Sequence, residues 1–430
     1  MDGAGYVITA SANMSRLWSR VRGWEGSGAR RALALPPTCS RSRHFVHGAG
    51  GDGQGFSHST STFVSAAVPA RGSRARRRAG TRRRSSVTAV FQGAPDDIAP
   101  EKTPVAVLCP GQGAQFEGQG RLWQNASPKA QAVFRRADRY LGRSRTPNGR
   151  RLSDIIFEGP QEELDRTDVA QPAIFVTSMA CMAGLEELGA APTVSAEEEM
   201  VAAAGLSLGE YTALTIAQAM EFEEALELVT VRGRAMQEAS EKIEGTMVAI
   251  LGASDAQVRE ICAKCATANQ VLVPANFNAP GQVVLSGSLE ACGRAVQYAS
   301  KELRLRTARL AVAGAFHSPL MQSAADELAD ALTQVEIEVP LRTRVMCNVT
   351  GRPHEETAGA IRDRLIEQLT SPVLWMDCLQ YLRDEHGKKL AYLELAPGRT
   401  LAGLLRRLDR AARLTNADTP EEFMAYSGRG

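Results

Sequence analysis

The stretch Val201-Ala-Ala-Ala-Gly205-Leu-Ser207-Leu-Gly209-Glu210 indicates both the architecture of the chain and the place of its chemistry. The small and apolar residues 201–205 predict a buried strand, and a helical pattern begins at Glu210. Between them lies G-x-S-x-G, in which the two glycines permit a sharp strand-to-helix turn. Such a turn exposes the serine hydroxyl beside the free N–H groups of a helix N-terminus, which suit a developing oxyanion. We interpret Ser207 as a candidate nucleophile; a tight turn without chemistry is the alternative.

The elements on either side of this turn predict an α/β protein. Residues 104–109 and 390–395 are apolar runs typical of buried strands. Residues 173–188 follow a helical pattern, which we predict to begin just after Pro172 and to end at Gly189.

The segment 245–312 has a pattern of its own. Its predicted elements follow the order β-α-β-β-α-β, which is that of a compact ferredoxin-like unit. We therefore predict a large α/β-hydrolase-like domain with a parallel sheet, formed by residues 103–244 and 313–415. A small ferredoxin-like domain is inserted between these two parts, and residues 416–430 are predicted to be a C-terminal tail.

Residues 1–95 form a basic leader. They contain 15 Arg, no Lys and three acidic residues, whereas the rest of the chain carries 35 basic and 45 acidic residues. Such a composition is typical of an organellar transit peptide, and Val87-Thr-Ala-Val90 is typical of a plastid processing region. We expect the plastid stroma as the location, with the mitochondrial matrix as the alternative. A disordered basic tail that binds nucleic acid is the other interpretation of the leader, but the acidic remainder predicts no nucleic-acid partner.

Composition excludes several other classes of protein. No run of 18 apolar residues occurs, which predicts no transmembrane helix and no membrane partner. The eight cysteines are scattered in apolar segments, as expected of a reducing compartment. Cys262 and Cys265 form the one C-x-x-C, without a second ligand pair, so we expect no metal.

One arginine lies where an apolar residue is expected. Phe222, Leu226, Val229 and Met236 form an apolar stripe at helical spacing, and Arg232 falls on that stripe. A guanidinium that faces the core is costly unless a carboxylate meets it. The partner is either a glutamate of the chain or a carboxylate of the substrate, and the pattern leaves both open.

The histidines offer one candidate for a general base. Three of the six lie in the leader, and His354 and His386 lie in polar segments that predict surface loops. His317 lies in Ala313-Gly-Ala-Phe-His317-Ser318, an apolar segment between a strand and a helix start. We interpret His317 as the candidate base, with a structural histidine as the alternative.

Four motifs in this order carry a resemblance to a known family. They are Gly111-Gln112-Gly-Ala-Gln115, Gly205-Leu-Ser207-Leu-Gly209-Glu210, Arg232-Gly-Arg-Ala-Met-Gln237 and Gly314-Ala-Phe-His317-Ser318. With them the chain resembles malonyl-CoA:acyl carrier protein transacylases over about residues 103–415. Leu206 stands where bacterial members usually carry His, and the sequence around it looks like that of the plastid branch of plants and algae.

The resemblance implies a role for each site residue. Ser207 would be the nucleophile, and His317 its general base and acid. The backbone N–H groups of Gln112 and Leu208 would form the oxyanion hole. Arg232 would bind the malonyl carboxylate, which decides its ambiguity in favour of the substrate. Gln368 would orient the imidazole through its backbone carbonyl, and Phe316 would crowd a 2-methyl group on the acyl chain.

The resemblance also implies the reaction and its partners. It implies ping-pong transfer of malonyl from malonyl-CoA to the phosphopantetheine thiol of holo-acyl carrier protein, by a monomer without a cofactor. Because carrier proteins are acidic, we expect basic residues to dock them, with these candidates: Arg304, Arg306, Lys388, Lys389 and Arg406. A serine esterase or thioesterase of the hydrolase type is the second hypothesis, and a carrier-binding module without catalysis is the third.

Overall fold

The computed structural model describes residues 102–193, 195–340 and 342–427. The predictions for the leader, including its processing region, lie outside these residues. The strands are β1 Thr103–Cys109, β2 Glu198–Gly205, β3 Gly245–Leu251, β4 Leu272–Ala279, β5 Gln282–Ser288, β6 Arg306–Arg309, β7 Arg344–Cys347, β8 Arg352–Pro353, β9 Ala391–Leu395 and β10 Arg413–Ala417.

Helices surround these strands. The α-helices are α1 Arg121–Ala126, α2 Pro128–Leu141, α3 Leu152–Glu158, α4 Gln161–Leu164, α5 Thr167–Glu187, α6 Gly209–Ile216, α7 Phe222–Lys242, α8 Asp255–Cys265, α9 Leu289–Lys301, α10 Gln322–Leu332, α11 Ala358–Gln368, α12 Trp375–His386, α13 Thr400–Leu408 and α14 Pro420–Ser427. Short 3₁₀ turns lie at Pro147–Gly149, Pro319–Met321 and Gly387–Lys389.

The larger sheet has the strand order β10-β9-β1-β2-β7-β8. Its strands pair in parallel from β10 to β7, and β8 closes the edge as an antiparallel strand. Along β1, Val105, Val107 and Cys109 pack into one buried cluster, whereas Ala106 and Leu108 pack into another on the opposite face. Burial on both faces explains why these strands are continuous apolar runs rather than alternating ones.

Helix α5 is the longest apolar helix of the core. Its length and the mean hydropathy of its most apolar 18-residue stretch, 1.2, are those of a membrane span. However, 83% of that stretch is buried inside the protein. The predicted start after Pro172 is wrong, because the helix begins at Thr167 and Pro172 lies inside it. Gly189 follows the end of the helix with φ 64°, the left-handed conformation expected of a glycine at that position.

The second sheet is antiparallel and has the order β4-β5-β3-β6. Together with α8 and α9 it gives the predicted order β-α-β-β-α-β, and the α/β fold class is confirmed. Strand β6 ends at Arg309, earlier than the predicted residue 312, and an irregular segment runs from there to His317. Backbone hydrogen bonds from Phe277 N to Val373 O and from Val373 N to Ala275 O join β4 to the rest of the fold. The division into a large and a small domain stays a prediction.

The C-terminal boundary at residue 416 is wrong. Strand β10 extends from Arg413 to Ala417 and pairs in parallel with β9. At the end of this strand, the carbonyl of Ala417 accepts a hydrogen bond from the indole N–H of the buried Trp123 at 2.8 Å. The sheet therefore continues across the boundary that the sequence suggested.

Candidate active site

The Ser207 turn is held by close contacts between backbone segments. Ser207 has φ 54°, and a Cβ atom added to Gly205 would lie 1.8 Å from the carbonyl carbon of Gly209. A Cβ atom added to Gly209 would lie 2.1 Å from the carbonyl oxygen of Cys109. Asn348 accepts a hydrogen bond from Ser207 N and donates one to Gly205 O, each at 2.7 Å. These contacts leave the turn one conformation, in which the serine hydroxyl is displayed at the end of β2.

His317 contacts the hydroxyl of Ser207. Its Nε2 lies 2.8 Å from Ser207 Oγ, and its Nδ1 lies 2.8 Å from the backbone oxygen of Gln368. Because a carbonyl oxygen only accepts hydrogen bonds, Nδ1 carries the proton and Nε2 is free to accept the serine proton. Burial and then the nearby Arg232 charge lower the pKa of His317 to about 4. The imidazole is therefore neutral at physiological pH, as a general base must be.

Arg232 lies beside the serine and meets only neutral groups. Its side chain is 1% exposed, and it donates to Gln171 Oε1 at 2.6 Å, Gln368 Oε1 at 2.9 Å and Ser207 Oγ at 3.0 Å. Burial lowers its pKa. Within the part of the chain that the structure describes, no carboxylate is within ion-pair distance of Arg232, and its Nε atom has no partner. The glutamate that the sequence allowed as its direct partner is thus not found there.

The two backbone N–H groups predicted to form the oxyanion hole belong to the serine turn and to the loop that packs on it. Leu208 directly precedes α6, and the Gln112 loop packs on the turn, where a Cβ atom on Gly111 would lie 2.2 Å from Leu206 O. Among the described residues, no group accepts a hydrogen bond from the N–H of either Gln112 or Leu208. The side chain of Gln112 donates to Thr167 at 3.3 Å. The arrangement leaves both N–H groups available, and their role as an oxyanion hole stays a prediction.

Phe316 is buried in the main core cluster, directly before His317. That placement fixes the backbone next to the imidazole. The predicted contact of its ring with the acyl chain is not tested by the contacts of the chain itself, so the role of Phe316 in acyl selection stays a prediction.

The comparison with known proteins agrees with this geometry. Residues 107–413 match the model of the acyl transferase domain family. The chain is 36% identical over 320 residues to the malonyl CoA-acyl carrier protein transacylase of Bacillus subtilis, covering 74% of this chain and 94% of that protein. The chain belongs to the malonyl-CoA:acyl carrier protein transacylase family.

Other members of the transacylase family are similar over the same region. The human mitochondrial malonyl-CoA-acyl carrier protein transacylase is 38% identical over 315 residues, 71% of this chain and 77% of that protein. The transacylase structure from Coxiella burnetii superposes with a TM-score of 0.69 at 35% identity, covering 76% of this chain and 98% of that one. A malonyl-transacylase solved in complex with a type II polyketide synthase acyl-carrier protein has a TM-score of 0.68 at 33% identity. The match covers 76% of this chain and 100% of that one.

Several polar residues of this transacylase-family site were missed by sequence reasoning. Glu210 is fully buried and accepts from Gln368 Nε2 at 2.7 Å and from Asn348 N at 3.1 Å. Gln171 is equally buried and holds Arg232. The feature of the sequence that could have identified them is the one that identified Arg232, namely a polar side chain in an otherwise apolar segment.

The surface prediction for His354 is wrong. Its side chain is 4% exposed, and its Nε2 lies 2.7 Å from Glu210 Oε1. The turn after β8 folds under the serine helix because β8 pairs with β7, which lies beside β2. His386 ends α12 and is partly exposed.

One group of side chains has the spacing of metal ligands. Ligand atoms of Glu210, Cys347 and His354 lie within 4.8 Å of one another. Both oxygens of Glu210 already accept hydrogen bonds, from Gln368 and Asn348 at one oxygen and from His354 at the other. We interpret the group as a hydrogen-bonded network, and the expectation of no metal stays a prediction.

Proposed function

We propose that the chain transfers the malonyl group of malonyl-CoA to the phosphopantetheine thiol of acyl carrier protein through a malonyl-serine intermediate. The observation that carries this proposal is the buried Arg232, which lies 3.0 Å from the candidate nucleophile and lacks a carboxylate partner among the described residues. A guanidinium with open N–H groups recognises a carboxylate. Malonyl differs from acetyl by just such a group.

The first half-reaction forms the acyl-enzyme. His317 Nε2 takes the Ser207 proton while Oγ attacks the thioester carbonyl, and the N–H groups of Gln112 and Leu208 stabilise the oxyanion. The C–S bond then breaks, and the CoA sulfur takes the proton from His317. In the second half-reaction the carrier thiol gives its proton to His317 and attacks the serine ester. The C–O bond breaks, and Ser207 recovers the proton.

The substrate carboxylate assists the base in this mechanism. In the empty site the charge of Arg232 is one of the causes, after burial, of the low pKa of His317. A malonyl carboxylate bound to Arg232 cancels part of that charge, so the imidazole becomes a stronger base once malonyl is in place. An acetyl group lacks this effect. Both substrate binding and the attack of Ser207 therefore favour malonyl over acetyl.

The decisive experiment measures the acyl-enzyme directly. Labelled malonyl-CoA mixed with wild-type protein is expected to give a burst of free CoA and a stoichiometric label on the protein, whereas Ser207→Ala gives neither. Arg232→Ala is expected to lose malonyl transfer while it keeps or gains acetyl transfer. Equal losses on both donors would remove the carboxylate-binding role of Arg232, and a labelled Ser207→Ala protein would remove the nucleophile.

The hydrolase hypothesis receives less support from the site. A hydrolase triad places an acid at the second imidazole nitrogen, and here a backbone carbonyl occupies that place. A comparison of malonyl-CoA hydrolysis with transfer to carrier protein distinguishes the two. A module without catalysis would give no burst in the experiment above.

The remaining proposals concern partners and place. We propose the plastid stroma as the location, supported by the composition of residues 1–95; mitochondrial relatives in human and mouse favour the matrix as the alternative. We also propose a monomer, as the resemblance implies. Import of the leader fused to a fluorescent protein tests the proposed location.

The five candidate docking residues Arg304, Arg306, Lys388, Lys389 and Arg406 are all exposed. Their reversal to Glu is expected to slow transfer to carrier protein but not to free pantetheine.

A further inference from the structure

A buried carboxylate lies one side chain away from Arg232. Glu210, in the first turn of α6, is 0% exposed. Its Oε2 accepts from Gln368 Nε2 at 2.7 Å and from Asn348 N at 3.1 Å, and its Oε1 lies 2.7 Å from His354 Nε2. Two of these partners, Asn348 and Gln368, also bind the backbone of the serine turn.

The amide of Gln368 connects this carboxylate to the guanidinium. Its Oε1 accepts from Arg232 at 2.9 Å, and its Nε2 donates to Glu210 and, at 3.1 Å, to Ser207 O. Because Arg232 only donates and Glu210 only accepts when ionised, the amide has one possible orientation. The two charges therefore interact through a single oriented amide, without touching.

The separation has an electrostatic consequence. A buried cation without any counter-charge is very costly, whereas one in direct contact with a carboxylate would have its N–H groups occupied. Burial lowers the pKa of Arg232; Tyr211, whose ring centroid lies 5.5 Å from the guanidinium carbon, and then the charge of Glu210 oppose this. The cation is thus stabilised while its Nε–H stays without a partner among the described residues.

We propose that Glu210 is the counter-charge that sets how strongly Arg232 binds the malonyl carboxylate, an inference that rests on the proposed function. Two anions then share one cation. Glu210 stabilises the empty site, and it repels the substrate carboxylate enough for the malonyl group to leave with the carrier. Loss of its charge makes the empty protein less stable and makes anion binding tighter.

The substitution Glu210→Gln isolates the charge. The new amide oxygen can accept from Gln368 and Asn348 as before, and the new NH₂ group then faces His354 Nε2. That ring can become the acceptor by moving its proton to Nδ1, which has no partner among the described residues. The hydrogen-bond pattern is therefore preserved while one negative charge is lost.

The readout is competitive inhibition by malonate, together with KM for malonyl-CoA and acetyl-CoA. We expect Glu210→Gln to bind malonate roughly tenfold more tightly, because at an effective dielectric constant near 20 a unit charge on the order of 10 Å away still changes an affinity by about that factor. KM for malonyl-CoA falls, and KM for acetyl-CoA does not. The melting temperature of the empty variant is lower than that of the wild type, and malonate raises it by more. Unchanged or weaker malonate inhibition would overturn the inference.

Two variants of His354 complete the experiment: one is a matched control, and the other is an independent test in case Glu210→Gln does not fold. His354→Gln keeps a donor to Glu210 and its charge, so malonate inhibition is expected to stay as in the wild type. His354→Lys places a fixed positive charge against Glu210 and is expected to tighten malonate binding even if Glu210→Gln does not fold. No tightening in His354→Lys would equally overturn the inference. A wild-type protein that transfers no malonyl at all would instead refute the proposed function.

Discussion

Two buried carboxylates belong to parallel strands of the same sheet or to the turn after one, and they have different tasks. Glu210, after β2, is bound mainly by the side chains of Gln368 and His354. Glu394, in β9, accepts from the backbone N–H groups of Leu401 and Ala402 at 2.7 and 2.8 Å. Both are fully buried. The partners, not the burial, distinguish a carboxylate that serves the site from one that caps a helix.

The glycines of the two strand-to-helix connections differ in the same way. In the Ser207 turn, Gly205 and Gly209 are in contact distance of backbone atoms that cannot move aside. In the connection from β9 to α13, an added Cβ on Gly398 would meet only Ala114 O, at the ordinary contact distance of 3.4 Å. The first connection is determined at every atom because it positions a reacting group.

The largest effect is expected from Gly205→Ala. The new Cβ atom would lie 1.8 Å from Gly209 C and 2.3 Å from Glu210 N, so the turn must open. We expect a loss of about 4 kcal/mol or more of unfolding free energy, the range of severe backbone and overpacking changes. Denaturant unfolding measures it. A stable, active variant would show that the turn is far more adaptable than its contacts indicate.

Glu394→Gln is expected to change how stability depends on pH. Burial raises the pKa of Glu394 to about 7, partly opposed by its backbone hydrogen bonds. Because the folded pKa lies above the unfolded one, the contribution is complete below about pH 4.5 and is lost as pH rises through 7. The wild type should lose about 2.5 kcal/mol more than the variant between pH 5 and pH 8. Parallel unfolding profiles for the two proteins would assign Glu394 an ordinary pKa.

Arg232→Ala is expected to move the acid limb of activity. Removal of the charge raises the pKa of His317, since Arg232 is second only to burial in lowering it. With acetyl-CoA as the donor, the acid limb of kcat/KM should shift upward by about one pH unit. Arg234→Ala on the same helix is the matched control, because Arg234 is exposed and paired with Glu327. If the acid limb of kcat/KM lies at the same pH in the wild type, Arg232→Ala and Arg234→Ala, then Arg232 does not lower the pKa of His317.

The smallest effect is expected from Gly403→Ala. Gly403 is exposed on α13 with open space around its Cα, so alanine gains helix propensity and costs no contact. We expect the unfolding free energy to rise by about 0.5–1 kcal/mol, with transfer unchanged. A destabilised variant would mean that the surroundings of Gly403 on α13 are more closely packed than its contacts indicate.

The sequence predicted the site where residue types and local patterns were sufficient. The G-x-S-x-G turn identified Ser207, elimination among six histidines identified His317, and a cation on an apolar stripe identified Arg232. The structure brings all three together, along with Gln368. The β-α-β-β-α-β unit was also found from its pattern, since its first three strands are apolar and each of its two helices has one apolar face.

What the sequence did not predict depends on pairing between distant segments. His354 lies in a polar turn, and only the pairing of β8 with β7 places it under Glu210. Strand β10 was missed because it is short and its pattern, Arg-Leu-Thr-Asn-Ala, is not apolar. Helix α5 began earlier than predicted, because burial of its first turns outweighs the unfavourable Pro172.

The backbone of Ser207 and His317 has a consequence for the history of such a chain. Both are non-glycine residues in the left-handed region, at φ 54° and 57°, and each such residue costs on the order of 1 kcal/mol. Glycine at either position would relieve the strain and abolish the chemistry. Selection for a robust fold and selection for acyl transfer therefore oppose each other at these two residues. A lineage that no longer needed the reaction would be expected to drift toward glycine there.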